Sequence, residues 1–287
     1  MEEEQARPVT LGAQTLRRGL WVLEAVAGHP AGVALSELAR ELGASRSTVH
    51  RFLSTLEDMG YVEQDATGGQ YRVGVRVLRL ASGLFRGLPL RAAAHNELAD
   101  LVLATGETAQ VCVLDGLEVV YLDEIDSPHP LRMNTYVGMR LPAHSTAVGK
   151  AILAFLPDGE RQGLVGWGLR ARTSRTITDP GALLDALANV REHGYAVDDE
   201  EDMAGVRCIA APVFDMRRTV VAAIGIAAPA GRLGPDDIPR VAERVVEAAQ
   251  RVSTRLGVQP EETDPVPVPR AAGAGRRGRR APAGIRS

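Results

Sequence analysis

Residues 44–60, ASRSTVHRFLSTLEDMG, constrain this chain most, because they read as one helix with two dissimilar faces. Val49, Phe52, Leu53 and Leu56 recur at helical spacing and give a stripe to bury. Ser45, or Ser47 two residues on, offers a hydroxyl to the unpaired N–H groups of the first turn. Arg46, Ser47, Thr48, His50 and Arg51 fall on the other side, near the start. An apolar back that fixes the helix, with a short donor-rich front, is what entry into a DNA major groove requires. An ordinary amphipathic surface helix carries the same stripe, so the neighbouring elements decide.

Upstream, Leu16, Leu20, Val22, Leu23 and Val26, with Trp21 beside them, predict a helix from Thr15 to about His29, ended by Gly28, Pro30 and Gly32. Ser36 then heads a short helix, ELARELG, closed by Gly43 just past its end. Helix, short helix, three-residue turn and longer helix form a helix-turn-helix layout. After Gly60, residues 61–63 and 70–73 alternate about a turn-rich stretch at 65–69, which predicts a β-hairpin where a wing would lie. Gln70, Tyr71 and Arg72 are its candidate DNA contacts, together with Ser45, Arg46, Ser47, Thr48, His50 and Arg51 of the helix. A purely structural helical subdomain is the competing reading.

With 287 residues, the chain can bury two cores. No apolar run approaches the roughly 20 residues that a bilayer span needs, and MEEEQARPVT lacks the pattern of a signal peptide. Cys112 and Cys208 form no CxxC pair and read as reduced thiols of a cytoplasmic protein. The formal net charge of −3 means that any attraction for DNA has to be local. Residues 1–14 read as a disordered leader. Residues 258–287, rich in Pro, Gly, Ala and Arg, read as a disordered tail. Its GRRGRR run at 275–280 is either plain solvated chain or a source of phosphate contacts.

Residues 15–74 thus form the expected winged helix-turn-helix domain. Val75, Leu78, Ala81, Leu84 and Phe85 predict a linker helix within 75–87, packed either against a second copy of the chain or within its own domain. A further helix follows from Leu90 to Thr105. Strands are expected at 108–114 and 117–125, joined by Asp115-Gly116, and then at 131–137. Helices are expected over AVGKAILAFL, 158–166 and 180–193, and strands at 195–198, 208–214 and 220–227. A last helix starts at Asp236 or Asp237 and runs to Gly257. An antiparallel sheet with flanking helices over 88–257 makes the whole chain a two-domain α+β protein.

Gly149-Lys150 invites a phosphate-loop reading. That motif needs a glycine where His144 stands and Ser or Thr where Ala151 stands, so the reading fails. His144, Cys208, Asp198 and Glu201 have no diagnostic spacing for a metal or a Cys–His nucleophile. No metal and no cofactor are expected, and an enzyme using Cys208 and His144 with an appended winged domain is the alternative. Two loops have another character. RLPAHSTAVGKA sets Ser145, Thr146, Ala147 and Gly149 at a helix start, which suits a carboxylate. DDEEDMAGVRC follows an apolar strand, so Asp198 can point into a cavity, although a solvated acidic loop reads the same way.

Three separated motifs, SRSTVHRFLSTLEDMGYVE, LPAHSTAVGKAILA and GYAVDDEEDMAGVRCIAAPVFD, occur in an order that resembles the IclR family of bacterial transcriptional regulators. The last fits the family signature at Gly194, Asp198, Glu201, Cys208-Ile209-Ala210 and Val213-Phe214-Asp215. The resemblance covers about residues 15–257. It implies a winged helix-turn-helix, a linker helix and a GAF-like effector domain, in a homodimer or dimer of dimers. It also implies a repressor of a catabolic operon that binds double-stranded DNA at a pseudo-palindromic operator, controlled by a small-molecule effector, an organic acid. No membrane partner is implied. Carried over by position, the effector pocket falls on Met133, Thr146, Ala147, Val148, Asp198, Val206, Cys208, Gly225 and Ala227. Members that bind small keto acids carry serines where this chain has Gly225 and Ala227, which points to a larger or less polar effector.

Overall fold

The small residues of one sheet face and the large residues of the other set the layers of the C-terminal half. The computed structural model describes residues 11–65, 69–86, 89–165 and 168–258. The chain divides into two units, residues 1–88 and 89–287. Both are α and β, as the sequence predicts.

The first unit runs α1 (Leu11–Ala27), α2 (Leu35–Glu41), α3 (Arg46–Asp58), the hairpin β1 (Val62–Gln64) and β2 (Tyr71–Val73), and α4 (Arg76–Arg86). Ser45 caps α3, its Oγ accepting from the Thr48 amide at 3.2 Å. Gly43 takes φ +59° in the turn that joins α2 to α3, a left-handed conformation that costs glycine little. Val26, Leu38, Val49, Leu53 and Val62 bury together, and Tyr71 joins them while its backbone pairs with Val33 in both directions. Three expectations need correction. Leu11 to Gln14 belong to α1 and not to a leader, whereas 1–10 lie outside the described residues. Ser36 does not cap α2; Ala34 stands at that position without a side-chain bond. In α1 the burial rests on Val22 and Val26, while Leu16, Leu20 and Trp21 are exposed, as are Val75, Leu78 and Leu80 about α4.

The second unit runs α5 (Pro89–Thr105), β3 (Thr108–Asp115), β4 (Glu118–Ile125), β5 (Arg140–Pro142), α6 (Ala147–Leu153), α7 (Asp158–Val165), α8 (Pro180–His193), β6 (Ala196–Asp199), β7 (Val206–Phe214), β8 (Val220–Pro229) and α9 (Ile238–Arg255). Its strands form one antiparallel sheet ordered β5-β4-β3-β8-β7-β6. Alternation along the strands separates the faces. Cys112, Ala196, Ala210 and Ala223 turn to the side of α6 and α8. Val111, Ile209, Ile224 and Ile226 take the opposite parity and are fully buried on the side of α5 and α9. The predicted strand at 131–137 is not formed. Only residues 138–139 reach Tyr121 by backbone hydrogen bonds, and strand pairing begins at Arg140. Residues 131–137 run unpaired across an open cavity, so their apolar spacing serves a pocket wall.

α6 comes unusually near the turn that precedes it. A Cβ on Gly149 would lie 2.0 Å from the Ala143 carbonyl oxygen and 2.4 Å from its Cα. That explains the glycine of the failed phosphate-loop motif. Gly149→Ala, normally favourable inside a helix, is expected to destabilise this unit by about 1–3 kcal/mol or more through overpacking, measured by urea denaturation.

Candidate nucleic-acid interface and ligand cavity

In α3, periodicity places Val49 and Leu53 inward and leaves Arg46, Ser47, His50 and Arg51 in solvent together. Thr48 is half-buried, and its hydroxyl bonds Ser45 Oγ at 2.8 Å. Arg46 makes no ion pair among the described residues, and Arg51 lies over the Phe52 ring at 5.9 Å. The front of this helix therefore carries two guanidinium groups that no carboxylate occupies. On the hairpin, Gln70 and Arg72 are exposed. Arg72 also donates from Nε to the Ala31 carbonyl at 3.1 Å, tying the hairpin to the α1–α2 turn. Tyr71 corrects the sequence reading. It is 4% exposed and belongs to the core, because strand alternation turns it inward between two outward neighbours.

In the second unit, the small sheet face, the start of α6 and the 131–139 segment enclose a cavity of about 560 Å³. Met133, Thr146, Ala147, Val148, Asp198, Val206, Cys208 and Ala227 all line it, as the resemblance implies. Gly225 does not. Its Cβ direction is filled by β7, with the Ile209 carbonyl oxygen at 2.4 Å and Ala210 Cβ at 2.8 Å. A missing side chain there adds no room for a ligand, so only Ala227 supports the expected widening. Thr146 is the cap of α6, its Oγ1 accepting from Gly149 N at 3.2 Å. Ser145 is fully buried and donates to Asp202 Oδ1 at 2.8 Å, so its hydroxyl is already engaged.

Sequence reasoning missed Gln110, Tyr121, Arg172, Asp202 and Met203 in the lining. Gln110 had a signal, a polar residue in the middle of an otherwise apolar strand. Arg172 had none, since it reaches the cavity from an irregular segment and is held by Asp202, Nε to Oδ1 at 3.1 Å.

Asp198 is 2% exposed and accepts from the amides of Glu201 at 2.7 Å and Asp202 at 3.3 Å. Burial outweighs these bonds and the nearby Lys150, and pushes its carboxyl from 3.8 up to about 7. Burial likewise pushes the Cys208 thiol well above its ordinary range, with Asp198 and Asp202 adding to the effect. A neutral thiol is a poor nucleophile. His144 Nε2 meets the Arg170 carbonyl at 3.0 Å and makes no hydrogen bond to Cys208. Among the described residues no cluster of His, Cys, Asp or Glu could hold a metal ion, and no helix is long and apolar enough to cross a membrane.

The models of the IclR helix-turn-helix domain and of the bacterial transcriptional regulator IclR C-terminal domain match residues 15–66 and 84–254. The chain belongs to the IclR family. It is 36% identical to the transcriptional repressor IclR of Escherichia coli K12 over 253 residues, 87% of this chain and 92% of that one. It is 35% identical to the regulator KdgR of the same organism, over 82% of this chain and 90% of that one. The solved IclR of Thermotoga maritima superposes with a TM-score of 0.71 at 32% identity, covering 85% of this chain and 99% of that chain. An IclR homologue from Microbacterium hydrocarbonoxydans, solved with 4-hydroxybenzoate, gives 0.74 at 27% identity, covering 84% and 98%. The protein is therefore a DNA-binding transcriptional regulator and not an enzyme.

Because the folded-state pKa of Asp198 is raised, the native state holds a proton that the unfolded chain releases. Stability from this group is full below about pH 4, falls as pH rises towards 7, and is level above. Urea denaturation of the wild type and Asp198→Asn across this range should show the wild type losing stability relative to the variant as pH rises. A constant difference would refute the shift.

Proposed function

We propose that this IclR-family regulator is a cytoplasmic repressor that binds a pseudo-palindromic operator as a homodimer or dimer of dimers, under the control of a small organic acid. The observation that carries the DNA half is the front of α3, where Arg46, Ser47, His50 and Arg51 face solvent with Val49 and Leu53 buried behind them. Arg46 and Arg51 take the guanine O6/N7 edges, which suit a bidentate donor. Ser45, Ser47, Thr48 and His50 supply the remaining contacts, and Gln70 and Arg72 follow the DNA backbone. The exposed apolar side chains of α1 and around α4 support a second copy covering them. Paired units then fit half-sites about 34–36 Å apart, or a multiple. The repressor relatives support the sign of regulation.

The cavity supports the effector half. Its volume of about 560 Å³ lies within the usual range for small-molecule sites, and it is far larger than a keto acid of two or three carbons can fill. The homologue holding 4-hydroxybenzoate supports an organic acid with a larger apolar body. Such an effector changes DNA binding only through its different affinities for the free and DNA-bound states.

Arg51→Ala should weaken operator binding by roughly 1–3 kcal/mol and relax preference at one base pair, read by fluorescence anisotropy against single-base operator variants. A loss uniform across sequences would instead mark a phosphate contact. Calorimetry should show bulkier carboxylic acids binding, with glyoxylate and pyruvate weak or silent, and the bound acid should alter operator affinity. Tight binding of the small keto acids alone would overturn the effector size, and DNA affinity indifferent to every acid would leave a constitutive DNA binder.

A further inference from the structure

We infer that Gln110 selects the effector, its amide reading a hydroxyl carried by a carboxylic acid bound in the cavity. This rests on the effector reading above. Gln110 sits mid-strand in β3, 2% exposed, on the cavity wall. Its Oε1 is buried without a partner, and no hydrogen bond among the described residues reaches its Nε2. The cross-strand neighbours do not answer it. Gly225 stands opposite on β8 with no side chain, and Glu124, opposite on β4, makes no hydrogen bond to it among the described residues and leaves its own Oε2 without a partner. A buried amide oxygen without a partner is costly, and the cavity that Gln110 lines is a space from which a ligand can supply one.

The missing partner has a definite chemistry. A hydroxyl donates and accepts at one atom, matching an amide that offers both, whereas a ketone or carboxylate oxygen only accepts. Asp198 and Asp202 also line the cavity, and Asp202 is bonded there to Arg172. Two arginines share that lining. Arg132 pairs with Asp126, while Arg172 is half-exposed and bonded to Asp202 through Nε. Leu141, Val148, Val206 and Ala227 give the cavity an apolar wall. The ligand class is a hydroxylated carboxylic acid with an apolar middle. A site built around such an unpaired polar group rejects the analogue that lacks the matching hydroxyl.

Calorimetry on the full chain tests this with acid pairs that differ by one hydroxyl, 4-hydroxybenzoate against benzoate and 4-hydroxyphenylacetate against phenylacetate. The wild type should prefer the hydroxylated member of a pair by about tenfold or more. Gln110→Met, similar in length and without polar atoms at its end, should bring the two within about twofold while leaving the plain acid no weaker. The melting temperature of the unliganded variant should be equal or higher, because an unpaired buried amide is gone. Equal binding of both members by the wild type would overturn the inference and leave the effector reading standing. So would persistent discrimination in Gln110→Met, or a lowered melting temperature that assigns the amide a structural role. Silence from every acid would remove the effector reading and this inference with it.

Discussion

One buried carboxylate holds the ligand-binding half together. Asp198, at the end of β6, accepts from the amides of Glu201 and Asp202 and so folds the following loop back upon itself. That fold sends Glu201 to the buried Lys150 of α6 and Asp202 to Ser145 and Arg172. Thr173 and Thr176 meet the backbone carbonyls of the same loop. Four otherwise separate segments, β6, the acidic loop, α6 and the irregular stretch around 172–176, are thereby joined at one point. Losing one partner of a buried ion pair such as Lys150–Glu201 costs roughly 3–5 kcal/mol, so the acids that looked like a solvated loop are structural as much as functional.

The cavity exists because the sheet is asymmetric. Val and Ile fill the face towards α5 and α9, whereas Gly, Ala and Cys dominate the central strands on the other face. Packing beside it is close: Gly149 of α6 leaves no space for a Cβ against Ala143, and Gly225 none against β7. Beyond the start of α6 no element fills the space above Cys208 and Ala227, and the unpaired 131–137 segment covers it only in part. The open space is thus a by-product of close packing next to it. Its polar groups, Asp198 and Gln110 above all, are then held in a region of low dielectric, where each unmet hydrogen bond matters more than it would in water.

Much of this was legible in the sequence, and the failures share a cause. Helix ends with local chemistry, such as the Ser45 cap, and the Asp115-Gly116 hairpin depend on neighbours a few residues away, so spacing revealed them. Errors arose where tertiary contacts decide. Tyr71 looked like a surface contact because its neighbours are polar, yet pairing with Val33 turns it inward. The apolar alternation at 131–137 looked like a strand, since lining a pocket and lining a sheet demand the same period. Gly225 looked like lost polarity, although β7 lies too near for any side chain. Gln110 stands out in the sequence as a polar residue within a strand, but whether its amide has a partner depends on cross-strand neighbours that only the fold supplies.

Charge sets the scale on which the two halves have to cooperate. The chain is formally negative, and the exposed front of α3 adds two arginines while Glu57 and Asp58 face solvent at its far end. Few neutralised phosphates give a shallow dependence on salt and a weak non-specific grip. On the proposed reading, one winged unit alone therefore holds an operator poorly, and occupancy depends on two units bound at once. Under those conditions a modest difference in effector affinity between the free and bound states is enough to empty the operator, since every 1.4 kcal/mol is about tenfold in occupancy ratio. A weakly charged reading helix is the kind that a cavity holding one small acid can control.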